Sequence, residues 1–456
     1  MSIKGIIPRA LLTPARMSVA AFAFIILAGS VLLCLPLSSP GQPLGFIDSL
    51  FTSTSATCVT GLIVVDTGTH LSLFGQLVVL LLIQVGGLGI MTLSTAFLVA
   101  TGRRPSLTGS AAVQTSISAL GHQNLLSLIM DVMRFTFMIE GIGAIILSAR
   151  FSIDHGPAKG IYLGVFHAVS AFCNAGFSPF ADSLVGYRGD WIVNLVVAGL
   201  IIAGGIGFVV LAETTHNNPL RRKGWTRLSL HTKLVLTTTA ALIVVGTLLI
   251  LFMEWGNTLQ GLPWHERLLA AFFQSVTART AGFNTLPIGQ IANETLFLLL
   301  VLMFIGASSG SCGGGIKTGT FATLAVWGLS RLRGHQRPQI FGRSISEASM
   351  SRAIGIFIIS GSVVIIAALI LLMTEIGGVS HAASRGKSIE ILFETVSAFG
   401  TVGLSTGVTG TLSTLGKLAI TLVMFVGRLG PLVIAMAISR RKVSRYRYAE
   451  ESILVG

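Results

Sequence analysis

Apolar residues fall into eight runs long enough to cross a hydrocarbon core, at about 17–35, 73–99, 125–148, 190–213, 232–253, 294–329, 353–374 and 414–438. The sixth is interrupted by small polar residues. Within each successive pair of runs lies a shorter, half-apolar stretch rich in Ser, Thr and Phe, at about 44–57, 160–172, 265–278 and 387–399. As helix, at about 1.5 Å per residue, such a stretch covers roughly half of a ~30 Å core, so each is predicted to dip in and return. Each ends in a related hexapeptide: Thr57-Cys58-Val59-Thr60-Gly61-Leu62, Phe172-Cys173-Asn174-Ala175-Gly176-Phe177, Ala278-Arg279-Thr280-Ala281-Gly282-Phe283 and Phe399-Gly400-Thr401-Val402-Gly403-Leu404. The repeated glycines are 115, 106 and 121 residues apart, so four copies fill the 456-residue chain. The pattern predicts an all-α polytopic membrane protein of four parallel repeats, each a span, a re-entrant loop and a second span. The repeats are placed at 1–100, 101–230, 231–345 and 346–456, the last with a basic tail. Non-helical backbone at membrane depth is tolerated only where protein buries it or water bathes it. Four such segments can share that protection around one pseudo-fourfold axis.

Composition agrees with the pattern: 52% hydrophobic, 11% charged, mean hydropathy +0.82, against about 25% charge in a soluble domain. The first run follows Arg9 and Arg16 but is too long for a signal peptide and has no small-residue cleavage site, so it is read as a span. Net charge is +14. With the N-terminus in the cytoplasm, 20 of 31 Lys/Arg lie inside and eight outside, which orients the chain and argues against nucleic acid as the partner. Contact with anionic membrane lipids or a subunit is a secondary use of that charge. Cys34, Cys58, Cys173 and Cys312 are isolated, without metal-ligand or redox spacing.

A dehydrated monovalent cation needs oxygen ligands in place of its hydration shell, and backbone carbonyls from four loops can supply them. Consecutive carbonyls face one axis only in unusual dihedrals, which glycine adopts most cheaply. One glycine at the same place in all four copies (Gly61, Gly176, Gly282, Gly403) meets that need, whereas a single one would read as a packing or turn glycine. The candidate filter is therefore Thr57 to Gly61, Cys173 to Gly176, Arg279 to Gly282 and Gly400 to Gly403, taking a cation by its carbonyls. Each preceding helix also turns its partially negative C-terminus toward the axis. Eleven of 17 acids fall on the outer side, among them Asp48, Asp66, Asp182, Asp190, Glu266, Glu390 and Glu394, where they can concentrate cations at a mouth. Arg279 is awkward beside a cation path and is expected to point away, onto a carboxylate or carbonyls.

The second spans carry their own repeat: Val85-Gly86-Gly87-Leu88-Gly89, Ala203-Gly204-Gly205-Ile206-Gly207 and Val426-Gly427-Arg428-Leu429-Gly430. The third repeat departs from it, with Gly306, Ser308, Ser309, Gly310, Ser311, Gly313, Gly314, Gly315 and Lys317 within residues 306–318. At ~1 kcal/mol per Gly against Ala, this stretch is predicted to break the helix into a loop below the filter, a candidate gate. It is not a phosphate-cradling GxxxxGK[ST] loop, because Ile316 separates Gly315 from Lys317. Arg428 takes the place of Gly87 and Gly205. A charged Arg at a helix centre costs at least ~2.5–3.5 kcal/mol unless it faces a cavity or finds partners. It is expected to brace the loop and add a positive barrier, with Lys317 as a second candidate. Glu140 reads as a buried structural partner.

The runs SLFTSTSATCVTGL, SAFCNAGF, TARTAGFNT and ETVSAFGTVGLS resemble the four pore loops of the Trk/Ktr/HKT potassium-transporter superfamily, over essentially the whole chain. Starting directly with the first repeat and stopping soon after the last span, the chain is similar to the KtrB-type pore subunits rather than the TrkH type. The resemblance implies uptake of potassium ion, often sodium-dependent, by a homodimer on a cytosolic KtrA-like nucleotide-binding ring in the bacterial plasma membrane, with both termini cytoplasmic. It also implies that residues 306–318 are the gating loop and Arg428 the pore arginine. In plant relatives a Ser at the first filter glycine goes with sodium; Gly61 here favours potassium. No enzyme motif and no organic-cofactor motif is present in the sequence. The alternative is a sodium or non-selective monovalent-cation carrier of alternating-access type. Such carriers usually show inverted repeats and helices broken at corresponding places, whereas here the repeats are parallel and one second span of four reads as interrupted.

Overall fold

The computed structural model of the protein describes residues 14–100, 125–217, 219, 221–335, 337–430 and 433. Repeat 1 comprises α1 (Pro14–Cys34), the short pore helix α2 (Phe46–Thr57) and α3 (Leu73–Ala100). Repeat 2 comprises α4 (Leu125–His155), pore helix α5 (Pro157–Phe172), α6 (Trp191–Ile206) and α7 (Phe208–His216). Repeat 3 follows with α8 (Leu230–Met253), pore helix α9 (Trp264–Thr277), α10 (Asn293–Phe304) and α11 (Thr318–Leu332), and repeat 4 with α12 (Glu347–Glu375), pore helix α13 (Lys387–Gly400) and α14 (Thr414–Leu429). A two-stranded hairpin, β1 (Gln339–Ile340) with β2 (Arg343–Ser344), joins α11 to α12. The basic clusters at 103–104 and 440–447, the cations Lys4 and Arg9, and the end of the last span lie outside the described residues.

The first helix of each repeat is long because its sequence is uninterrupted. Four helices among the described residues are long and apolar enough to cross a membrane, and they lie in α1, α4, α8 and α12. Each exposes large apolar residues on one side, such as Val244, Leu248 and Phe252 of α8 or Ile365, Leu369 and Met373 of α12. In α1 and α8 the opposite face carries a glycine that admits the pore helix. Gly29 faces the Ser53 side chain and Gly246 the Ser275 side chain, and the two serines donate to the Ile26 and Ile243 carbonyls at 2.7 and 2.9 Å. Small residues with a hydroxyl acting across them are how helices associate where lipid gives no hydrophobic drive.

The second spans depart from the expectation of eight comparable crossings. Only α3 runs unbroken, for 28 residues. In repeat 2 the chain bends by 104° between α6 and α7, at Gly207 with φ +90°. In repeat 3 the predicted loop separates α10 from α11. In repeat 4, α14 ends at Leu429 and Gly430 takes φ +84°. The last glycine of the Gly-x-x-Gly pattern thus ends a helix in repeats 2 and 4 but not in repeat 1, where Gly89 lies inside α3, so the pattern does not by itself decide continuity. The expectation that one second span of four is interrupted therefore does not hold, and it no longer argues against a carrier.

The four units close into a ring. The second helix of each repeat packs on the pore helix of the next: α3 on α5, α6 on α9, α10 on α13, and α14 back on α2. The polar ends are capped in sequence-local fashion, by Asp190 on α6 (Val193 N, 2.9 Å), Ser229 on α8 (3.2 Å), Ser346 on α12 (3.3 Å) and Ser413 on α14 (3.1 Å).

Candidate ion pathway

Each pore helix ends three to five residues before its repeated glycine, and the backbone beyond it alternates in hand. Two residues before the glycine, Val59, Asn174, Thr280 and Thr401 take φ of 55°, 60°, 70° and 49°. The glycines themselves take 89°, 70°, 82° and 93°. Val and Thr are rare in this left-handed region, and each such residue costs on the order of 1–3 kcal/mol unless its surroundings impose it. The same strain at the same position in four copies is imposed by a common requirement. Alternating handedness turns successive carbonyls to one side of the strand, the side that faces the other three loops.

The four glycines meet. A methyl group on Gly176 would lie 2.7 Å from the Ala281 carbonyl oxygen and 2.9 Å from Gly282 Cα. On Gly61, Gly282 or Gly403 it would overlap the carbonyl oxygens of Ala175, Val402 and Thr60 respectively. Each glycine therefore abuts the carbonyl of the residue before the next glycine, in the closed order 1, 2, 3, 4, 1. Behind this ring, Gly61 N and Gly403 N donate to Ser55 Oγ and Ser397 Oγ at 3.1 Å each. Ser170, the matching residue in repeat 2, donates to the Phe177 carbonyl at 2.8 Å. Repeat 3 has Val276 there and no such brace.

Outside the ring a cavity of about 530 Å³ opens, with the four glycines at its floor and Val64, Phe180, Pro287 and Leu404 on its walls. Of the seven outer carboxylates singled out from sequence, Asp66 and Asp182 line this mouth. Asp48 is instead paired with Lys417 at 2.7 Å and Asp190 with Arg150 at 2.6 Å. Glu394 is fully buried behind the fourth loop, and Glu266 lines a separate outer depression. Neither Glu266 nor Glu390 lines the mouth.

On the other side of the ring lies the repeat 3 loop. Gly314 N donates to Thr401 Oγ1 at 3.0 Å, and the Cβ position of Gly313 points at Thr280 Oγ1, so the loop rests against candidate filter residues of repeats 3 and 4. Thr280 and Asn174 are joined at 3.2 Å, with the Asn174 amide nitrogen directed to the Ala171, Phe172 and Ile201 carbonyls. The far side of the loop uses the break in repeat 2. Helix α6 ends with its last carbonyls free, and Ser308 N and Cys312 N donate to Gly205 O (2.9 Å) and Gly204 O (3.1 Å). Phe208 N returns a bond to Gly310 O at 3.1 Å, with Ser309 and Gly310 at the more exposed tip. Thr318 N and Oγ1 then close the loop's neck on the Ala307 and Gly306 carbonyls.

Arg428 is buried where the sequence placed it. Its Nη1 donates to the Cys312 carbonyl of the loop and its Nη2 to the Gly86 carbonyl of α3 at 2.7 Å. One guanidinium thus ties repeats 1, 3 and 4 together. Lys317 Nζ folds back onto Gly313 O at 2.6 Å, a brace within the loop. Arg279 is buried, and its Nη2 donates to a hydroxyl, Thr318 Oγ1 at 3.2 Å, rather than to the carboxylate or carbonyls expected. Glu140 is buried and accepts from Gln84 at 3.1 Å, with Cys173 Sγ at 3.8 Å. Sequence reasoning missed the role of the α6 carbonyls. Gly207 alone does not signal it: Gly430 at the same offset ends α14, but Gly89 at that offset lies inside the unbroken α3.

Gly86, Gly204 and Gly427 have a packing role: a methyl on each would overlap the carbonyl oxygen of Thr57, Phe172 and Phe399 at the pore-helix ends. Gly204→Ala is expected to lower thermal stability in detergent, at an overpacking cost of ~1–3 kcal/mol. Gly361→Ala in α12 has open space around its Cβ and is expected to be neutral or stabilising by up to ~1 kcal/mol. Unfolding midpoints of the two variants check both signs.

The chain matches the Cation transport protein family TrkH over residues 13–445. It is 40% identical over 446 residues to the Ktr system potassium uptake protein B of Bacillus subtilis, covering 97% of each chain. It is 37% identical to the potassium/sodium uptake protein NtpJ of Enterococcus hirae, covering 98% of each. The structure superposes on that of the potassium transporter TrkH from Vibrio parahaemolyticus with a TM-score of 0.76 at 18% identity, covering 96% of this chain and 87% of the other, a likeness of fold. An integral membrane transporter rather than an enzyme, the chain belongs to the TrkH family of cation transport proteins.

Proposed function

We propose that this protein takes up potassium ions across the bacterial plasma membrane, through a filter of backbone carbonyls from Thr57–Gly61, Cys173–Gly176, Arg279–Gly282 and Gly400–Gly403. The observation that carries the reading is the closed ring of glycines and neighbouring carbonyls at the floor of the outer cavity. Each position offers main-chain oxygen and excludes any side chain from the axis, as coordination of a dehydrated monovalent cation requires. The names of the Bacillus and Vibrio alginolyticus relatives, both Ktr system potassium uptake protein B, support potassium as the cargo. Residues 306–318 act as the gate, with Arg428 as its brace and a positive barrier. The four repeats divide the chain at about 100, 230 and 345, and both termini face the cytoplasm.

Assembly as a homodimer on a cytosolic nucleotide-binding ring belongs to the same proposal; the relatives' designation as parts of a Ktr system supports a partner subunit. A second reading, sodium as co-substrate or alternative cargo, is favoured by the potassium/sodium designation of the Enterococcus relative. Tracer uptake into proteoliposomes separates them. Potassium uptake predicts rubidium accumulation that excess potassium suppresses and excess sodium does not. Sodium uptake that potassium fails to compete would overturn the potassium reading, and rubidium uptake strictly requiring sodium would establish coupling.

A further inference from the structure

Just outside the filter, two of the four repeats carry a device that the others lack. In repeat 2, Ser178 Oγ accepts from Phe180 N at 3.0 Å and faces His167 Nε2 at 2.9 Å. His167 Nδ1 lies 2.8 Å from the Leu163 carbonyl, which can only accept, so Nδ1 carries the proton and Nε2 accepts from the serine. In repeat 4, Ser405 Oγ accepts from Gly407 N at 2.9 Å and donates to Glu394 Oε1. Thr406 N adds a bond to the same oxygen at 3.1 Å, and Thr409 Oγ1 donates to Oε2 at 2.8 Å.

The register is the same in both repeats. The acceptor lies nine residues before the filter glycine, the serine two after it, and the donor amide four after it. Both acceptors are buried on pore helices, at no more than 1% exposure. Repeats 1 and 3 have Thr52 with Ile63 and Phe273 with Asn284 at these places. Asn284 bonds instead to the Leu286 carbonyl and to Ser183 of the neighbouring loop. A bond from two residues beyond the glycine to the pore helix spans the filter strand from behind. Outward movement of the carbonyls next to Gly176 or Gly403 must stretch it.

The geometry points to His167–Ser178 and Glu394–Ser405 as two positioning latches, in repeats 2 and 4, that fix the width of the filter's outer ring and thereby its discrimination between cations. This rests on the filter reading above. Repeats 2 and 4 are non-adjacent in the ring, so the latches hold opposite walls, and the other two walls are held only through their neighbours. Glu394, with three donors, is the stronger of the pair.

The test is uptake of rubidium and sodium tracers by the full-length protein in proteoliposomes. With hydrogen bonds of this kind worth about three- to tenfold each, Glu394→Ala is expected to lower the rubidium-to-sodium uptake ratio about tenfold and Ser405→Ala about threefold. Glu394→Gln is expected to restore most of the ratio, because its amide oxygen still accepts from Ser405 and Thr406. If Glu394→Ala does not yield monodisperse protein, Ser405→Ala and Ser178→Ala decide. An unchanged ratio in these variants, with or without reduced capacity, overturns the latches, as does Glu394→Gln behaving like Glu394→Ala. Gly403→Ser is the companion control. If it loses selectivity while the latch variants keep it, the latches fail and the filter stands; if it also keeps selectivity, the filter reading has failed.

Discussion

Serine in place of Gly176 is expected to abolish discrimination between rubidium and sodium, with the same direction at Gly61, Gly282 and Gly403. Two independent costs meet at that position. The backbone is left-handed, at φ +70°, which a residue with a Cβ adopts at about 1–2 kcal/mol. The new Cβ would stand 2.7 Å from the Ala281 carbonyl oxygen, and overpacking of this kind adds ~1–3 kcal/mol. The ring can relieve both only by moving the carbonyl that is proposed to coordinate the ion. Since about 1.4 kcal/mol corresponds to a factor of ten in rate, even a third of the combined ~2–5 kcal/mol expressed in the ion-bound state changes selectivity by about 3- to 17-fold. The cyclic order makes a further demand: serine in one repeat disturbs the carbonyl of the next, so the four variants should resemble one another. Rubidium and sodium uptake into proteoliposomes checks this. Four variants that keep the wild-type ratio would leave the filter without a basis.

The parts of this architecture that repeat were legible in the sequence, and the parts that break the repeat were legible only where composition broke too. The pore helices appear within three residues of the expected 44–57, 160–172, 265–278 and 387–399, because each is bounded by a glycine-bearing loop whose spacing is periodic. The repeat 3 loop declared itself by glycine and serine content. The bend at Gly207 did not, because α6 and α7 are apolar on both sides of it and hydropathy does not register a single dihedral. Its cause is tertiary: the carbonyls of Gly204 and Gly205 are occupied by the loop of another repeat, so continuing the helix would require Phe208 and its neighbours to displace Ser308 and Cys312. The outer carboxylates failed for a related reason. Sequence gives their side of the membrane but not their partners, and Lys417, Arg150 and the serine and threonines after the fourth loop had already claimed Asp48, Asp190 and Glu394.

Removing the guanidinium of Arg428 is expected to raise cation flux about tenfold or more. Arg428→Ala takes away a positive charge proposed to lie below the ion path. At 4 Å and an effective dielectric of about 20 such a charge opposes a cation by ~4 kcal/mol, a ceiling that water in the cavity reduces. It also frees the Cys312 and Gly86 carbonyls, which lose their bonds to Nη1 and Nη2. Each buried acceptor left unmade costs about 1–3 kcal/mol, which the loop can recover by swinging toward water. Charge and brace are separable. Arg428→Lys keeps the charge but cannot present a planar fork to two carbonyls on different repeats, so it should give an intermediate flux. Deleting residues 308–314 removes the plug while leaving Arg428 and is expected to exceed both variants. A flux order of wild type, Lys, Ala and deletion, measured as rubidium efflux from loaded vesicles at matched protein density, is what a braced gate produces. Equal flux in wild type and the deletion would mean that the segment under the filter is scaffold and that the barrier to ions lies elsewhere.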